Sequence, residues 1–295
     1  MASVIELLAK GVRFLRSKNI ERPKCDGEWL FAHILGCSRL ELYLRHGAAV
    51  DASSEARLRE LLVRRARREP LQYILGEVDF CNVKLKVDPR VLIPRGETEM
   101  LVEWLVTYIR SRNFGSPATG EAGDCRCEVL DLGTGNGAIA IALAKYFPAS
   151  RVFAVDKSPP ALTVAQENVE RNGVRNVKLL KSDWYSVFES GACQEKFDII
   201  VANPPYLAPQ EFASAQDEVR KYEPISALVA GDGGLRDIEI ILRGAKNFLK
   251  KGGLVALETG ITHPQQLQNK YKNFFNKTEI VKDLNQFDRF FMAYV

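Results

Sequence analysis

The chain has 295 residues, of which 46% are hydrophobic and 26% are charged, as is typical of a globular protein with one large domain or a large and a small one. A formal net charge of +4 is too small to indicate a polyanionic partner by itself. No apolar run approaches the ~18 residues of a membrane span, and the six cysteines form no CxxC pair beside three histidines. We therefore expect no membrane anchor, no signal peptide, no metal site, and reduced thiols in a cytoplasmic protein.

Residues 1–70 carry the pattern of amphipathic helices. Val4, Leu8, Val12 and Leu15 share one face of the first predicted helix. A later helix has Asp51, or the serines just after it, as its capping candidate, and arginines opposite its apolar stripe. This arginine face is either a solvated surface or a docking surface for an acidic partner, and it comprises Arg57, Arg59, Arg64, Arg65, Arg67 and Arg68. We predict a small helical N-terminal domain, residues 1–70, that docks the substrate.

Residues 71–95 alternate between apolar and polar side chains, which predicts a β-hairpin-like linker. A helix is predicted at residues 97–112, and a flexible polar loop at residues 113–125. Strands then alternate with helices, which predicts a parallel sheet covered on both faces. The predicted strands are "CEVLDLG", "RVFAVD", "VKLLKSDW", "FDIIVANPPY" and "GGLVALETG". The closing "TEIVKDLNQFDRFFMAYV" predicts an antiparallel pair at the edge of this doubly wound α/β domain, residues 96–295.

A glycine-rich loop follows the first strand of that domain. It consists of Gly133, Thr134, Gly135, Asn136 and Gly137. Asp156 ends the next strand, where a carboxylate can accept both hydroxyls of a ribose. The spacing G-x-G-x-G differs from the dinucleotide pattern, which makes a nicotinamide oxidoreductase the weaker alternative. Asp131 before the loop disfavours pyrophosphate but suits an ammonium group, so the pattern favours S-adenosylmethionine.

Two residues after the third strand are candidates for the adenine of that cofactor. Asp183 can accept a hydrogen bond from the adenine amino group, and Trp184 can cover the ring. A buried core tryptophan is the alternative interpretation of Trp184.

The fourth strand ends in Asn203, Pro204, Pro205 and Tyr206, a corner that should face the cofactor, with Asn203 as a further cofactor-binding candidate. Prolines cannot continue a central strand, and they stiffen the backbone after it. The Asn203 side-chain oxygen and the Pro204 carbonyl are then two acceptors at a fixed separation, which suits the two hydrogens of a substrate NH2 group. The ring of Tyr206 would pack against the planar group that carries this nitrogen. Gripping both hydrogens aims a weakly nucleophilic amide or arylamine nitrogen at a methyl group.

The ordered motifs "PLQYILGEVDF", "IPRGETEMLVEWL", "LDLGTGNGAIAIALA", "SDW", "NPPY", "YEPISAL" and "GDGGLRDIEIIL" resemble the HemK/PrmC family of peptide chain release factor glutamine methyltransferases. The resemblance spans nearly the whole chain. It implies a class I S-adenosylmethionine-dependent methyltransferase, with a Rossmann-like seven-stranded mixed sheet and a helical N-terminal domain. It assigns Gly133 to Gly137, Asp156 and Trp184 to the cofactor, and the corner from Asn203 to Tyr206 to the substrate glutamine.

The resemblance also implies the reaction and its setting. The methyl group would go to N5 of the glutamine in the Gly-Gly-Gln motif of class I release factors, in translation termination, with S-adenosyl-L-homocysteine as product. We expect a monomer that does not require nucleic acid. Two positions depart from the family pattern, Gly96 and Gln286. Glu97, Glu99 and Glu223 receive no role.

Two other functions remain open at this point. A nucleic-acid amino-methyltransferase acting on adenine N6 shares the motif NPPY, although about 70 helical residues are few for a domain that holds a flipped base. The other is a cofactor-binding module without catalysis, in which the acceptor corner, residues 203–206, would have no function.

Overall fold

The computed structural model describes residues 2–112, 114, 125–189 and 195–295. The predicted loop at residues 113–125 lies almost wholly outside the described residues, and Cys193 also lies outside them. The chain divides into two compact units. The helical unit comprises Met1–Gly76 and Gln216–Tyr222, and the sheet unit comprises Glu77–Ala215 and Glu223–Val295. In the described residues, no helix is long and apolar enough to cross a membrane.

The helices are α1 (Val4–Ser17), α2 (Pro23–Leu35), α3 (Arg39–Leu44), α4 (Ala52–Ala66), α5 (Leu71–Leu75), α6 (Gly96–Arg112), α7 (Ala138–Tyr146), α8 (Pro159–Asn172), α9 (Ser186–Glu189), α10 (Pro209–Ala213), α11 (Asp217–Tyr222), α12 (Arg236–Phe248) and α13 (His263–Tyr271). The strands are β1 (Glu77–Phe80), β2 (Val83–Lys86), β3 (Glu128–Leu132), β4 (Arg151–Asp156), β5 (Val177–Lys181), β6 (Phe197–Ala202), β7 (Leu249–Glu258), β8 (Lys277–Lys282) and β9 (Asp288–Tyr294).

Local sequence signals set the limits of the helices in the helical unit. Asp51 accepts a hydrogen bond from the Ser54 backbone N–H, as expected of the N-cap of α4. Ser3 and Glu6 form a reciprocal capping box at the start of α1. The apolar faces of α1, α2 and α4 meet in one core that includes Leu8, Leu15, Leu30, Phe31, Leu58 and Leu62.

The arginine face of α4 is largely occupied by ion pairs within the helical unit. Arg65 is buried between Asp26, at 2.7 Å, and Glu218 on α11, at 3.0 Å. Arg64 pairs with Glu69 at 2.6 Å, and Arg68 also contacts Glu218. Arg65 and Arg68 therefore connect α11 to the C-terminal end of α4, and the arginine face is not a uniform cationic surface.

Residues 71–75 form the helix α5, where the alternating pattern predicted extended chain. Pro70 precedes this helix, and Gly76 ends it in the left-handed conformation with φ of 77°. Since Ile74 is buried in the core of the helical unit and Leu71 and Leu75 pack against that core, tertiary packing decides the conformation of this short segment. The predicted hairpin begins after Gly76, as β1 and β2 of the sheet unit.

Two asparagines of α8 hold the outer strand of that hairpin. The Asn168 side-chain amide donates to the Lys86 carbonyl and accepts from the Lys86 N–H, at 3.0 and 2.6 Å. Asn172, one helical turn later, makes the same pair of bonds to Lys84 at 2.9 and 3.2 Å. The two side chains therefore take the place of a neighbouring strand for β2.

The main sheet has seven strands in the order β5-β4-β3-β6-β7-β9-β8. Its first five strands in this order are mutually parallel, and β9 and β8 pair antiparallel. This architecture confirms the predicted doubly wound mixed sheet. Successive residues of β3 point to opposite faces of the sheet, and Val129 packs in one apolar core while Leu130 packs in the other. The sheet is therefore covered on both sides.

Candidate active site

Strand order reverses between β3 and β6, because the chain runs from β3 outward to β5 and then returns to β6 on the other side of β3. Ligands in open α/β sheets bind at this point, beyond the carboxyl ends of the strands. A cavity lies there, and most of the predicted site residues line it. They are Gly133, Thr134, Gly135, Asn136, Asp156, Asp183, Trp184, Asn203 and Pro205. Gly137, Pro204 and Tyr206 are not part of its wall.

The backbone N–H groups of the glycine loop are already used inside the protein. Those of Gly133 and Thr134 donate to the Val155 carbonyl, both at 2.9 Å, and that of Gly137 donates to the Thr134 carbonyl. Pyrophosphate sites need such groups directed at the ligand. The arrangement therefore favours a cofactor without phosphate, in agreement with the G-x-G-x-G spacing.

Asp156 ties the loop to the end of β4. One carboxylate oxygen accepts from the Gly135 N–H at 2.9 Å, and the other accepts from the Ser158 N–H at 2.8 Å. Each carboxylate oxygen has a further lone pair. The two backbone bonds orient the carboxylate at the rim of the cavity, where ribose hydroxyls would meet it.

Asn136 is buried and its side chain is engaged within the protein. Its amide donates to the Leu92 carbonyl at 3.1 Å and accepts from the Ala138 N–H at 3.0 Å, at the start of α7. The predicted cofactor residue thus joins the loop to the chain segment before α6, which forms another part of the cavity wall.

Asp131 presents a buried acceptor to the cavity. One carboxylate oxygen accepts from the Thr134 hydroxyl at 2.6 Å and the Ala140 N–H at 3.3 Å. The other has no hydrogen-bond partner within the described part of the chain. Burial raises the pKa of Asp131 to about 7. An ammonium group in the cavity would supply the missing donor and favour the ionised form.

Trp184 both lines the cavity and packs against the apolar core on one face of the sheet. Its φ of 49° is unusual for a bulky residue. A Cβ at Gly133 would lie 3.3 Å from its ring, so the glycine permits this close approach. Trp184 is thus half-buried between the apolar core and the cavity, rather than a fully buried core residue. Asp183 is exposed beside it on the cavity wall.

The corner after β6 is held by a chain of hydrogen bonds. The Asn203 Nδ2 group donates to Thr98 Oγ1 at 3.0 Å, and Thr98 Oγ1 donates to Glu258 Oε2 at 2.7 Å. The Tyr206 hydroxyl donates to Glu258 Oε1 at 3.3 Å. Because Thr98 accepts one hydrogen of Nδ2, the amide is oriented, and Oδ1 is the acceptor atom that Asn203 offers to a ligand.

Tyr206 is fixed by close packing around its backbone as well. A Cβ at Gly234 would lie 2.1 Å from the Tyr206 carbonyl oxygen, so only glycine fits there, and its φ is +91°. Burial raises the pKa of Tyr206 well above the ordinary value, and the charge of Glu258 adds to this shift.

Sequence reasoning missed Thr98 and Glu258. Glu258 ends an apolar strand, as Asp156 does, and that position is the signal that could have identified it. The three acids that received no role from the sequence do not line the cavity. Glu223 is buried, and it accepts hydrogen bonds from the Arg95 side chain at 2.5 Å and from the Ile93 N–H at 3.3 Å. Glu99 accepts from the Cys81 N–H at 2.7 Å, and Glu97 is not part of the wall.

Comparison with known proteins identifies the family. A family model described as the PrmC N-terminal domain matches residues 6–76, and one described as a methyltransferase domain matches residues 124–291. The release factor glutamine methyltransferase of Chlorobaculum tepidum is 36% identical over 97% of this chain and 95% of that protein. The enzyme of Geobacter sulfurreducens is 38% identical over 94% of this chain and 91% of that protein. The enzyme of Escherichia coli K12 is 37% identical over 81% of this chain and 80% of that protein.

This chain belongs to the release factor glutamine methyltransferase family. It is an enzyme of the methyltransferase kind, and the predicted resemblance is confirmed. A further family model, tRNA (uracil-5-)-methyltransferase, matches residues 48–189 and ends before the acceptor corner.

Solved structures that resemble this one support the fold alone. The catalytic domain of hMettl16, solved in complex with the MAT2A 3'UTR hairpin 6, is 16% identical, with a TM-score of 0.54 over 79% of this chain and 81% of that one. A METTL16 methyltransferase domain lacking its N-terminus is also 16% identical, with a TM-score of 0.52 over 72% of this chain and 88% of that one.

One departure from the family pattern has a structural consequence. Gln286 has φ of 64°, a left-handed conformation that favours glycine. It lies in the turn between β8 and β9, where Asp283 accepts from the Asn285 and Phe287 N–H groups at 2.9 and 3.0 Å. The glutamine therefore carries backbone strain in this turn.

Proposed function

We propose that this protein transfers a methyl group from S-adenosylmethionine to N5 of the glutamine in the Gly-Gly-Gln motif of class I peptide chain release factors. The observation that carries the proposal is the orientation of Asn203, whose Nδ2 group is held by Thr98 at 3.0 Å so that Oδ1 is left to accept from a substrate NH2 group. The names of the curated relatives support the release factor as the substrate.

The cofactor fits the residues of the cavity. Asp131 has a buried oxygen that receives no donor from the described part of the chain and could accept from an ammonium group. Asp156 has a carboxylate for the ribose, and Trp184 has a ring face for the adenine. When bound, S-adenosylmethionine supplies an electrophilic methyl group on a sulfonium. Asp183 would accept from the adenine amino group, and Gly133 keeps the loop close to Trp184.

The chain's own contribution to the reaction is positioning. An amide nitrogen is weakly nucleophilic because its lone pair is delocalised. In the proposal, Asn203 Oδ1 and the Pro204 carbonyl each accept one hydrogen of the amide, and Pro205 and Tyr206 restrict its plane. Such positioning can supply up to ~7–11 kcal/mol of the barrier. After transfer the nitrogen carries a positive charge and loses a proton readily, so no strong base is needed beforehand.

We assign docking of the release factor to the helical unit, predicted as residues 1–70. Support comes from the match of residues 6–76 to the PrmC N-terminal domain. We further propose that the enzyme acts as a monomer and without nucleic acid. Light scattering of the purified protein, and methylation after nuclease treatment, test these two points.

The decisive test is methyl transfer to a purified class I release factor with labelled S-adenosylmethionine. Mass spectrometry should show one added methyl group on the glutamine of the Gly-Gly-Gln motif. The matched control is a release factor with that glutamine changed to glutamate, which has no NH2 group and should remain unmodified. Methylated adenine in DNA or RNA, with the release factor unmodified, would contradict the proposal.

A further inference from the structure

Three elements of the sheet unit bring their polar residues together behind the acceptor corner. Thr98 lies in the first turn of α6, Asn203 follows β6, and Glu258 is the last residue of β7. Ala202 and Leu257 are paired in the register of β6 and β7, so Asn203 and Glu258 follow a matched pair. Glu258 is 1% exposed and Thr98 is 4% exposed. Glu258 and Thr98 are therefore shielded from water, whereas Asn203 faces the cavity.

The hydrogen bonds of this cluster have a defined direction. A carboxylate only accepts, whereas a threonine hydroxyl has one proton and can also accept. The proton of Thr98 is directed to Glu258 at 2.7 Å, so the Thr98 oxygen is left to accept the Asn203 Nδ2 group at 3.0 Å. If a donor stood in the place of Glu258, Thr98 could direct its proton to Asn203 instead. The amide would then turn its NH2 group toward the substrate.

A buried carboxylate in this place is not explained by stability. Burial raises the pKa of Glu258 to about 7. The groups that act on it from the neighbouring elements are Thr98 and Glu97 on α6, Tyr206 after β6, and Arg289 on β9. Arg289 lies 3.5 Å from Asp283 and donates to the Thr259 carbonyl, so its nearest contacts are with other groups. An uncharged residue would fill the site at a lower desolvation penalty.

We propose that Glu258 is a positioning residue whose carboxylate sets the direction of the hydrogen bonds through Thr98 and so holds the oxygen of the Asn203 amide toward the substrate NH2 group. This inference rests on the proposed function, because it presumes a substrate that donates two hydrogens at the corner. Glu258 itself does not contact the substrate in this arrangement.

The test is Glu258→Gln, which keeps the shape of the side chain and can donate to Thr98. With the release factor as substrate and saturating cofactor, kcat should fall ~10²-fold, since misplacement of a reacting group by about 1 Å has that effect. The cofactor Kd should stay within about threefold of that of the wild-type enzyme. The thermal midpoint at pH 8 should be unchanged or higher, since a buried charge has been removed.

Three further variants separate positioning from a structural role. In a Thr98→Val background, Glu258→Gln should have little additional effect on kcat, because the connection to Asn203 is already absent. Glu258→Asp, which still only accepts, should recover part of the activity. Asp237→Asn removes another buried acid, on α12 and outside the cavity wall, and should leave kcat near the wild-type value.

The pH profile is a second readout. Wild-type kcat should fall as the pH drops below about 7, because Glu258 then becomes protonated and can donate to Thr98. The kcat of Glu258→Gln should not show this decrease at low pH. Saturating cofactor is required because Asp131 also has a pKa raised to about 7.

Wild-type kcat in Glu258→Gln would overturn the inference, as would a loss of activity that accompanies a lowered thermal midpoint and weakened cofactor binding. If the wild-type enzyme itself fails to methylate the release factor, the proposed function fails first, independently of any variant.

Discussion

The glycine loop, residues 133–137, and the acceptor corner, residues 203–206, lie at the ends of the adjacent strands β3 and β6, but they are stabilised differently. The loop is held mainly by its own backbone N–H groups, bonded to the Val155 carbonyl and the Asp156 carboxylate. The corner is held by side chains from three elements, at sequence separations of 105 residues for Asn203 and Thr98 and 160 residues for Thr98 and Glu258.

This difference has a functional consequence. A conservative substitution in the corner can reverse a hydrogen bond without disturbing the backbone, and should therefore change the rate. A substitution around the loop changes the backbone or the groups that face the cofactor, and should therefore change cofactor affinity or stability. Substitutions in the two regions test whether the two effects separate in this way.

The largest effect is expected for Asn203→Ala. One hydrogen of the substrate amide loses its acceptor, the nitrogen moves off the line of attack, and transfer should slow by ~10²-fold. Calorimetry should show unchanged cofactor affinity. Asn203→Asp still accepts but cannot donate to Thr98, and should retain an intermediate rate. A loss of cofactor affinity equal to the loss of rate would remove the distinction between the corner and the loop.

Asp156→Ala should show the opposite pattern. We expect cofactor affinity to fall by roughly 1.5–3 kcal/mol, because hydrogen bonds to a charged group are lost, while kcat at saturating cofactor changes little. Asp156→Asn keeps one acceptor oxygen for the Gly135 N–H and separates the ribose contact from the shape of the loop. Unchanged affinity in calorimetry would exclude Asp156 from the cofactor site.

Asn136→Ala probes the stability of the loop. The Leu92 carbonyl and the Ala138 N–H would lose their partners, and the free energy of unfolding should fall by about 1–3 kcal/mol. Urea denaturation measures this change. Asn136→Asp still accepts from Ala138 but sets a buried carboxylate against the Leu92 carbonyl, so it should lose at least as much stability. Equal stability of the alanine variant and the wild type would mean that the loop is supported without this side chain.

The smallest effect is expected for Gln286→Gly, in a turn outside both regions. Removing a left-handed strain of ~1–2 kcal/mol outweighs roughly 0.4–1 kcal/mol of added unfolded-chain entropy. The thermal midpoint should therefore rise slightly, and both kcat and cofactor affinity should stay unchanged, which makes the variant a baseline for the other three. A lower midpoint would show that the glutamine side chain stabilises the turn.

Much of the fold was predictable because its signals are local. Strand and helix periods alternate from residue 127 onward, and the seven-stranded sheet follows from them. The structure differs from the prediction at residues 71–75, which form a helix and not extended chain. The sequence pattern there is too short to distinguish a strand from a helix, and the burial of Ile74 in the helical core favours the helix. The arginines of α4 were visible in the sequence, but the partner of Arg65 on α11 is 153 residues away.

The sequence by itself determined which residues could stand at the site. Glycine spacing, an acid at the end of β4 and two prolines after β6 are local features, and strand alternation alone brings them to one edge of the sheet. Only the tertiary structure decided how each polar group is used. Asn136 is turned inward to Leu92, and Asn203 is oriented by Thr98 and Glu258. Hydrogen-bond direction depends on which donors and acceptors meet in space, and distant elements meet only after the sheet has formed.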